Sequence, residues 1–194
     1  MSDIYVIKRN GTKELLNLEK LHKMTSEACD GLNGVSSSQI EMNSGIQIHD
    51  GISTKNIQDI LIRSASDLIS LDAPNYQYAA ARLLLFALRK EVLGQFDYLP
   101  LLDIIKLNIK RGVYDSAILN WYSVKELEKL DSYIKHQRDL EFTYAGLRQV
   151  VDKYLVQDRS SGDIYETPQY MYMMIAATIF AQYPKETRLS YVKK

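Results

Sequence analysis

The sequence has 194 residues, 46% of them apolar, and its 24 basic side chains balance its 24 acidic ones, so the formal net charge is zero. This composition is typical of a globular protein with one or two domains, and it argues against a general binder of nucleic acid or anionic membrane. The single cysteine, Cys29, excludes an internal disulfide and a multi-cysteine zinc site. The first residues do not resemble a signal peptide, and no apolar run approaches the roughly 18 residues of a membrane span. We therefore expect a cytoplasmic protein.

The first predicted element is a β-hairpin centred on Asn10 and Gly11. These residues separate two short apolar runs, and Asn-Gly in this setting favours a two-residue turn in which both residues adopt positive φ. Two cations, Lys8 and Arg9, directly precede the turn. A basic hairpin at this position is a candidate phosphate-binding element.

Four helices are predicted between the hairpin and Gly94. Asn17 is expected to cap the first, a Ser-x-x-Gln capping box the second and Thr54 the third. Gly94 is in the position of a C-terminal glycine for the fourth. The predicted helical ranges are 18–30, 36–46, 54–69 and 75–93. Residues 1–94 are therefore predicted to form a small β-hairpin that caps about four helices.

The second half differs in composition, because eleven of the fourteen tyrosines follow Gly94. This shift predicts a domain boundary at residue 94, with a second domain over residues 95–194. Helices are expected over residues 100–111, 123–136 and 144–152 and again from Thr167 and from Glu186. Residues 158–162 predict a hairpin connection between 154–156 and 163–165. The whole chain is predicted to be mainly α.

Two kinds of chemistry receive little support from the sequence. The three histidines, His22, His49 and His136, lie far apart and have no cysteine neighbours, so no metal site is expected. Neither of the two common glycine-rich phosphate loops occurs. A bound nucleotide would therefore need side-chain cations around its phosphates.

Five short segments of the first half occur in a fixed order, at residues 6–11, 17–20, 50–54, 72–78 and 88–90. Together they closely resemble the N-terminal ATP-cone of class I ribonucleotide reductase large subunits. Segments at residues 94–96, 114–115, 153–155, 162–166 and 186–189 are similar to the helical region that precedes the catalytic barrel in the same proteins. The resemblance covers essentially the whole chain.

This resemblance implies a pocket between the hairpin and the helices for ATP or dATP, bound with Mg²⁺ as an allosteric effector. The backbone of Ile7, with Glu14 and Asn17, would read the adenine. The phosphates would be held by Lys8, Arg9 and Lys90 together with the Thr54 hydroxyl, and Lys20 would lie nearby. The implied effector-binding residues are Ile7, Lys8, Arg9, Glu14, Asn17, Lys20, Thr54, Phe86 and Lys90.

The residue types alone leave simpler interpretations open. Lys8, Arg9 and Lys90 can be solvated surface charges, Asn17 can be only a helix cap, and Phe86 can be a core residue.

The chain departs from the family at two positions just after Thr54. The family often has Asp and His where this chain has Asn56 and Gln58. A carboxylate and an imidazole near the sugar and phosphates would help to distinguish ATP from dATP. Their neutral replacements predict weakened or absent inhibition by dATP, while nucleotide binding survives.

The resemblance further implies that this chain is the N-terminal regulatory part of a ribonucleoside-diphosphate reductase large subunit. Its partners would be the remainder of that subunit, in the same or a separate chain, and the radical-carrying small subunit. The family's catalytic cysteines lie on a ten-stranded α/β barrel downstream of the matching region, so this chain alone is not expected to be an active reductase. The end at Lys194, within a helical pattern, predicts a fragment or one piece of a split subunit.

Two alternatives belong to other functional classes. A nucleotide-sensing transcriptional repressor can carry the same cone, but it also carries a cysteine-rich zinc ribbon, which this sequence lacks. A structural or interaction piece of a split reductase, whose cone no longer binds nucleotide, is the other alternative.

Overall fold

The computed structural model describes residues 4–193, which form two compact units. The first unit contains the described residues up to Ala87 together with Leu140–Gln149. The second contains Leu88–Asp139 and the described residues from Val150 onward. The division of the sequence into domains at residue 94 stays a prediction.

The first unit contains a small three-stranded sheet. Its strands are β1 (Tyr5–Ile7), β2 (Lys13–Leu15) and β3 (Ile52–Ser53), arranged in the order β2-β1-β3. β1 pairs with β2 as the antiparallel hairpin predicted from the sequence and with β3 in parallel, with Ile7 opposite Ser53. The sequence did not predict β3, because two residues are too few to show an alternating pattern.

The hairpin connection is longer than the predicted two-residue turn. The N–H of Gly11 donates to the carbonyl of Lys8 at 2.9 Å, and the N–H of Lys8 donates to the carbonyl of Thr12 at 2.8 Å. Gly11 has a φ of 81°, whereas Asn10 does not have a positive φ. Instead, the Asn10 side chain accepts a hydrogen bond from the backbone N–H of Thr12 at 3.1 Å. The prediction that both residues adopt positive φ was therefore wrong.

The four helices predicted for the first half are confirmed. They are α1 (Leu18–Cys29), α2 (Ser37–Gly45), α3 (Thr54–Asp67) and α4 (Tyr76–Leu93), the last of which continues from the first unit into the second. The Oδ1 atom of Asn17 caps α1, as predicted, by accepting from the backbone N–H of Lys20 at 2.9 Å. Gly94, with a φ of 70°, follows the end of α4.

Two cap predictions need correction. Ser53, not Thr54, caps α3, since its hydroxyl accepts from the N–H of Asn56 at 3.0 Å. Ser36 caps α2, but the backbone N–H of Ser36 donates to the Tyr76 hydroxyl rather than to the Gln39 side chain. The capping box predicted there is therefore only half formed.

The second unit is built from short helices. The helical segments after α4 are α5 (Leu101–Lys110), α6 (Ile118–Trp121), α7 (Val124–Asp131), the 3₁₀ helix η1 (His136–Glu141), α8 (Tyr144–Lys153), α9 (Pro168–Ile179) and α10 (Lys185–Lys193). The first part of α8 belongs to the first unit. Both hydrogen bonds of a capping box, formed by Ser123 and Glu126, are present at the start of α7. However, α7 ends at Asp131 rather than near His136.

The second predicted hairpin is reduced to a tight turn. Gln157 and Ile164 form one antiparallel bridge, and the N–H of Asp158 donates to the carbonyl of Asp163 at 2.9 Å. The mainly α fold with a small sheet is therefore confirmed, with α9 beginning at Pro168 after Thr167 as predicted.

Within residues 4–193, no helix combines the length and the apolar composition that a membrane span requires. The same range contains no group of three or more His, Cys, Asp or Glu side chains placed to hold a metal ion. The compartment of the protein stays a prediction.

Candidate functional site

The sheet brings the basic hairpin connection to the start of α3. Ile7 lies opposite Ser53 in the parallel pair of β1 and β3. Lys8 and Arg9, which follow β1, therefore lie beside the start of α3 at Thr54, which follows β3. An Nη atom of Arg9 donates to Oε1 of Gln58 at 3.3 Å, one turn into α3. A helix N-terminus carries partial positive charge and unpaired N–H groups. Two cations and a helix N-terminus therefore meet at one end of the sheet.

Lys8 forms an ion pair with Glu14, a second residue of the predicted site. Its Nζ atom lies 2.6 Å from Oε2 of Glu14, and the two side chains are 42% and 37% exposed. An ion pair this exposed is typically worth about 0–1 kcal/mol, because water screens the charges. Lys8 can therefore exchange its carboxylate partner for another anion at small cost in free energy.

Asn17 and Lys20 lie at the start of α1. The Oδ1 atom of Asn17 caps the helix, so the helix-cap interpretation of this residue is confirmed for its oxygen. The capping geometry leaves the amide N–H₂ group of Asn17 as the donor to any further partner. The Lys20 side chain is exposed on the same first turn.

The remaining predicted residues lie on α3 and α4. Thr54 is half-buried and occupies the first position of α3. Phe86 is only 3% exposed, as expected for a core residue of the first unit. Lys90 is exposed in the last turn of α4, within the part of that helix that belongs to the second unit. Ile7, Lys8, Arg9, Glu14 and Thr54 therefore lie at or next to the sheet. The site roles of all nine predicted residues stay predictions.

The two positions that depart from the family have different surroundings. The side chain of Gln58 accepts a hydrogen bond from Arg9. Gln58 therefore helps to position Arg9, which is predicted to bind phosphate. The side chain of Asn56 is exposed at the start of α3. It lines a shallow concavity together with His49, Asp59 and Arg63.

Sequence reasoning missed the contribution of the segment before α3. Oδ1 of Asp50 accepts from the backbone N–H of Tyr5 at 2.8 Å, and the N–H of Gly51 donates to the carbonyl of Tyr5 at 2.8 Å. The carboxylate of Asp50 also lies 4.0 Å from Lys13. These contacts fix the start of β1 against the loop before β3. The Asp-Gly pair at residues 50–51 indicated a turn, but nothing in the sequence indicated its partner strand.

Cys29 lies at the end of α1 and is half-buried. Burial raises the pKa of its thiol from 9.0 to about 11, an effect opposed by nearby Arg82 and reinforced by Glu41. A thiol with this pKa is a poor nucleophile at neutral pH, because the reactive species is the thiolate. This environment is typical of a cysteine that serves as a small apolar side chain in a helix.

Comparison with known families gives two matches. Residues 4–91 match the ATP cone domain, and residues 140–194 match the ribonucleotide reductase all-alpha domain. Over 192 residues, the chain is 46% identical to ribonucleoside-diphosphate reductase 1 subunit alpha of Escherichia coli, which covers 99% of this chain and 25% of that protein. The chain is homologous to the N-terminal region of ribonucleoside-diphosphate reductase alpha subunits.

Other reductase relatives give the same result. The alpha subunit of Haemophilus influenzae is 47% identical over 191 residues, covering 98% of this chain and 25% of that protein. The alpha subunit of Enterobacteria phage T4 is 41% identical over 192 residues, covering 99% of this chain and 25% of that protein. The chain thus spans about a quarter of the length of these reductase subunits. The family resemblance inferred from the short sequence segments is confirmed.

Proposed function

We propose that this chain is the nucleotide-sensing N-terminal part of a ribonucleoside-diphosphate reductase alpha subunit. In this proposal, residues 4–91 bind ATP or dATP as an allosteric effector that regulates deoxyribonucleotide synthesis. The remainder of the alpha subunit and the radical-carrying small subunit are its proposed partners. The match of residues 4–91 to the ATP cone domain supports the binding of a nucleotide.

The parallel pairing of Ile7 with Ser53 is the observation that carries the proposal. It places the cationic residues after β1 at the N-terminus of α3, and this combination attracts phosphate for two independent reasons. Arg and Lys form charge-assisted hydrogen bonds with phosphate oxygens. Backbone N–H groups at a helix N-terminus add donors and a favourable dipole. The phosphate-binding residues proposed here are therefore Lys8, Arg9 and Thr54, with Lys90 retained from the sequence prediction.

Adenine recognition is proposed for the other side of the hairpin. The backbone of Ile7 offers a carbonyl and an N–H at the end of β1, and Glu14 and the Asn17 amide add a carboxylate and a donor. An adenine edge has one donor group and neighbouring acceptors, which these atoms can satisfy. Lys20 lies beside Asn17 in this proposal, and Phe86 forms an apolar wall.

The residues fit a triphosphate better than they fit a protein-held metal. Mg²⁺ usually keeps several waters and binds through substrate phosphates rather than through an all-protein cage. Binding of Mg²⁺ through nucleotide phosphates needs no cluster of three His, Cys, Asp or Glu side chains, and residues 4–193 contain none. Any Mg²⁺ would therefore enter with the nucleotide, and the protein would contribute cations and N–H donors.

The proposed role is regulatory rather than catalytic. The only thiol in the sequence is Cys29, whose pKa is raised to about 11 by burial. Effector coupling typically amounts to about 1–3 kcal/mol, which is enough to shift an equilibrium between assemblies or activity states. The chemistry of reduction would lie in the remaining three quarters of the relatives' length.

Calorimetric titration of this chain with Mg-ATP tests nucleotide binding. We expect saturable binding, together with a rise in the thermal unfolding midpoint, because a ligand that binds only the native state stabilises it. Replacing Lys8 by Ala should weaken binding by about tenfold or more, since a charge-assisted hydrogen bond contributes about 1.5–3 kcal/mol.

Lys23→Ala provides a matched control, because Lys23 is an exposed lysine of α1 with no assigned role. This variant should bind Mg-ATP within twofold of the unaltered chain. If millimolar Mg-ATP gives neither heat nor a shift in the unfolding midpoint, the binding proposal fails.

A failure of this kind would favour the structural alternative, a cone that supports a partner chain without binding nucleotide. The observation in favour of that alternative is that Lys8 and Arg9 already contact Glu14 and Gln58. Light scattering of this chain mixed with the rest of the subunit would then test assembly directly, with and without Mg-ATP. Assembly that ignores Mg-ATP would support the structural role.

Discrimination between ATP and dATP is proposed to be weak. Gln58 and Asn56 are neutral, so neither can offer the charge that an Asp or a protonated His would offer near the sugar and phosphates. Competitive calorimetry should give ATP and dATP affinities within about threefold of each other. In the assembled enzyme, full inhibition by micromolar dATP would contradict this proposal.

A further inference from the structure

Asp139 is a fully buried carboxylate in the second unit, with an exposed fraction of 0%. It lies in the 3₁₀ helix η1, and its Oδ1 atom accepts a hydrogen bond from Nε2 of Gln169 at 2.8 Å. The backbone N–H of Gln169 also donates to this carboxylate. Asp139 therefore contacts the first turn of α9, 30 positions further along the chain.

The N-terminus of α9 lacks a local cap. Thr167 is the N-cap residue, but its buried hydroxyl makes no capping hydrogen bond and has no partner among the described residues. Pro168 occupies the first helical position and has no N–H group. The N–H of Gln169 is therefore the first donor of the helix, and Asp139 accepts it. Asp139 replaces the missing local cap from a distant segment.

The second oxygen of Asp139 makes no hydrogen bond within the described part of the chain, although it is buried. Three titratable or charged groups, His136, Tyr98 and Arg89, lie around the carboxylate. His136 precedes it by one 3₁₀ turn, Tyr98 stacks on His136 with ring centroids 3.5 Å apart, and the Arg89 guanidinium lies 5.0 Å from the Tyr98 ring. The buried Tyr98 hydroxyl and His136 Nδ1 also make no hydrogen bond within the described part.

We propose that Asp139, a buried carboxylate with one oxygen that makes no hydrogen bond in the described part of the chain, is a proton-binding switch that holds the N-terminus of α9. The neutral carboxyl group keeps an oxygen for the Gln169 donors, while its new O–H at Oδ2 becomes a donor rather than an unpaired acceptor. The anionic form keeps the same acceptor but leaves a charge in a buried site, where the Gln169 donors, Arg89 and the helix dipole offset the cost of burial only in part. Protonation therefore stabilises the folded second unit.

The direction of the pH effect follows from the shifted equilibrium. Burial raises the pKa of Asp139 from 3.8 to about 6, an effect that the hydrogen bonds from Gln169 and the charge of Arg89 oppose. The folded state therefore binds the proton more tightly than the unfolded state, and the contribution of Asp139 to stability grows as the pH falls through 6 towards 4. Burial and Arg89 lower the pKa of His136 from 6.5 to about 4, so His136 has the opposite effect over an overlapping range.

Comparison with Asp139→Asn isolates the contribution of Asp139, because both proteins retain His136. The asparagine cannot titrate, and its amide can donate where the protonated carboxyl would. Urea unfolding at pH 7.5 and pH 5.0 gives the folding equilibrium constant of each protein. The constant of the unaltered chain divided by that of Asp139→Asn should rise by about tenfold between pH 7.5 and pH 5.0. A ratio that stays within twofold would overturn the proposal.

Glu141→Gln is the matched control, because Glu141 lies on the same 3₁₀ helix and is exposed. The folding equilibrium constant of the unaltered chain divided by that of Glu141→Gln should change by less than about twofold over the same pH range. If Asp139→Asn does not fold, a carbon-13 NMR titration of the aspartate carboxyl groups in the unaltered chain decides the question. One aspartate should titrate with a midpoint near pH 6, and the absence of any midpoint above pH 5 would overturn the proposal.

Discussion

The two units of this protein use polar side chains in different ways. Around the hairpin of the first unit, Lys8 and Glu14 form an ion pair in which each side chain is more than a third exposed. In the second unit, Arg188 is 3% exposed and Glu166 is 2% exposed, and both make hydrogen bonds to side chains on distant segments. The exposed Lys8–Glu14 pair can exchange one side chain for another ligand at a small cost in free energy. The buried hydrogen bonds of the second unit cannot be exchanged without leaving a buried polar group unpaired.

This difference separates a surface suited to ligand exchange from a rigid framework. A phosphate that approaches Lys8 competes with a carboxylate already in contact with water, so exchange costs little free energy. A group that entered the second unit would have to replace hydrogen bonds in a region of low dielectric. Four predictions test this contrast.

Replacing Arg188 by Ala should destabilise the second unit by about 3–5 kcal/mol, because it breaks a largely buried ion pair. Its guanidinium donates to Oε1 of Glu126 at 2.5 Å and 3.0 Å and lies 4.3 Å from the Tyr122 ring centroid. Urea unfolding measures this loss. Arg138→Ala, which removes an exposed arginine of η1, should cost less than about 1 kcal/mol.

The ion pair between Arg188 and Glu126 makes the free energy of unfolding depend on pH in the acid range. Partial burial alone would raise the pKa of Glu126, but hydrogen bonds from Ser123 and Arg188 outweigh burial and hold it below its ordinary value of 4.5. A lowered pKa means that the stabilisation is present above pH 4.5 and is lost as the pH falls further. Arg188→Ala should therefore lose less stability than the unaltered chain on acidification below pH 4.5. Parallel acid-unfolding curves for the two proteins would contradict this interpretation.

Replacing Tyr114 by Phe should destabilise the second unit by about 1–3 kcal/mol. The hydroxyl of Tyr114 donates to Oε2 of Glu166, and its removal leaves a buried carboxylate oxygen without that donor. Chemical unfolding of Tyr114→Phe measures the loss. Tyr154→Phe removes the hydroxyl of a tyrosine that is 60% exposed and serves as the control. A loss equal to that of the control would show that the buried pair contributes nothing.

Replacing Glu14 by Gln should change the free energy of unfolding by less than about 1 kcal/mol, because its ion pair with Lys8 is exposed. Lys8→Ala should have a similarly small effect on unfolding, although it weakens Mg-ATP binding by about tenfold. Urea unfolding measured beside the calorimetric titration separates the two effects. A destabilisation above about 2 kcal/mol in either variant would show that the hairpin pair is structural and would remove the contrast between the units.

Local sequence signals predicted most of the fold. Asn17 caps α1 as predicted, because capping depends on side chains within three residues of the helix start. Gly94 follows α4, and Pro168 begins α9, because these residues have strong backbone preferences. The family resemblance also rested on short ordered segments, and the comparisons confirm it.

The errors involve partners that are distant along the chain. Nothing near Ile52 indicates that it pairs with β1, and nothing near Gln169 indicates that its side chain donates to Asp139. The sequence predicted Thr54 as a cap, whereas the adjacent Ser53 occupies that position, since neighbouring Ser and Thr have similar capping preferences. For the candidate site, the sequence placed the cations correctly beside a turn, but the contacts of Lys8 with Glu14 and of Arg9 with Gln58 required the structure.

The parallel pairing of β1 with β3 also bears on the order of folding. The antiparallel hairpin joins residues close in sequence and can form within microseconds, whereas contacts such as Tyr5 to Asp50 close a segment of 45 positions that contains α1 and α2. Closing a long segment costs entropy before its contacts contribute stability. We therefore expect the end of the sheet that gathers the cations to form late, after α1 and α2 have packed together. During synthesis, a nucleotide could meet this surface only once the chain beyond Thr54 has left the ribosome.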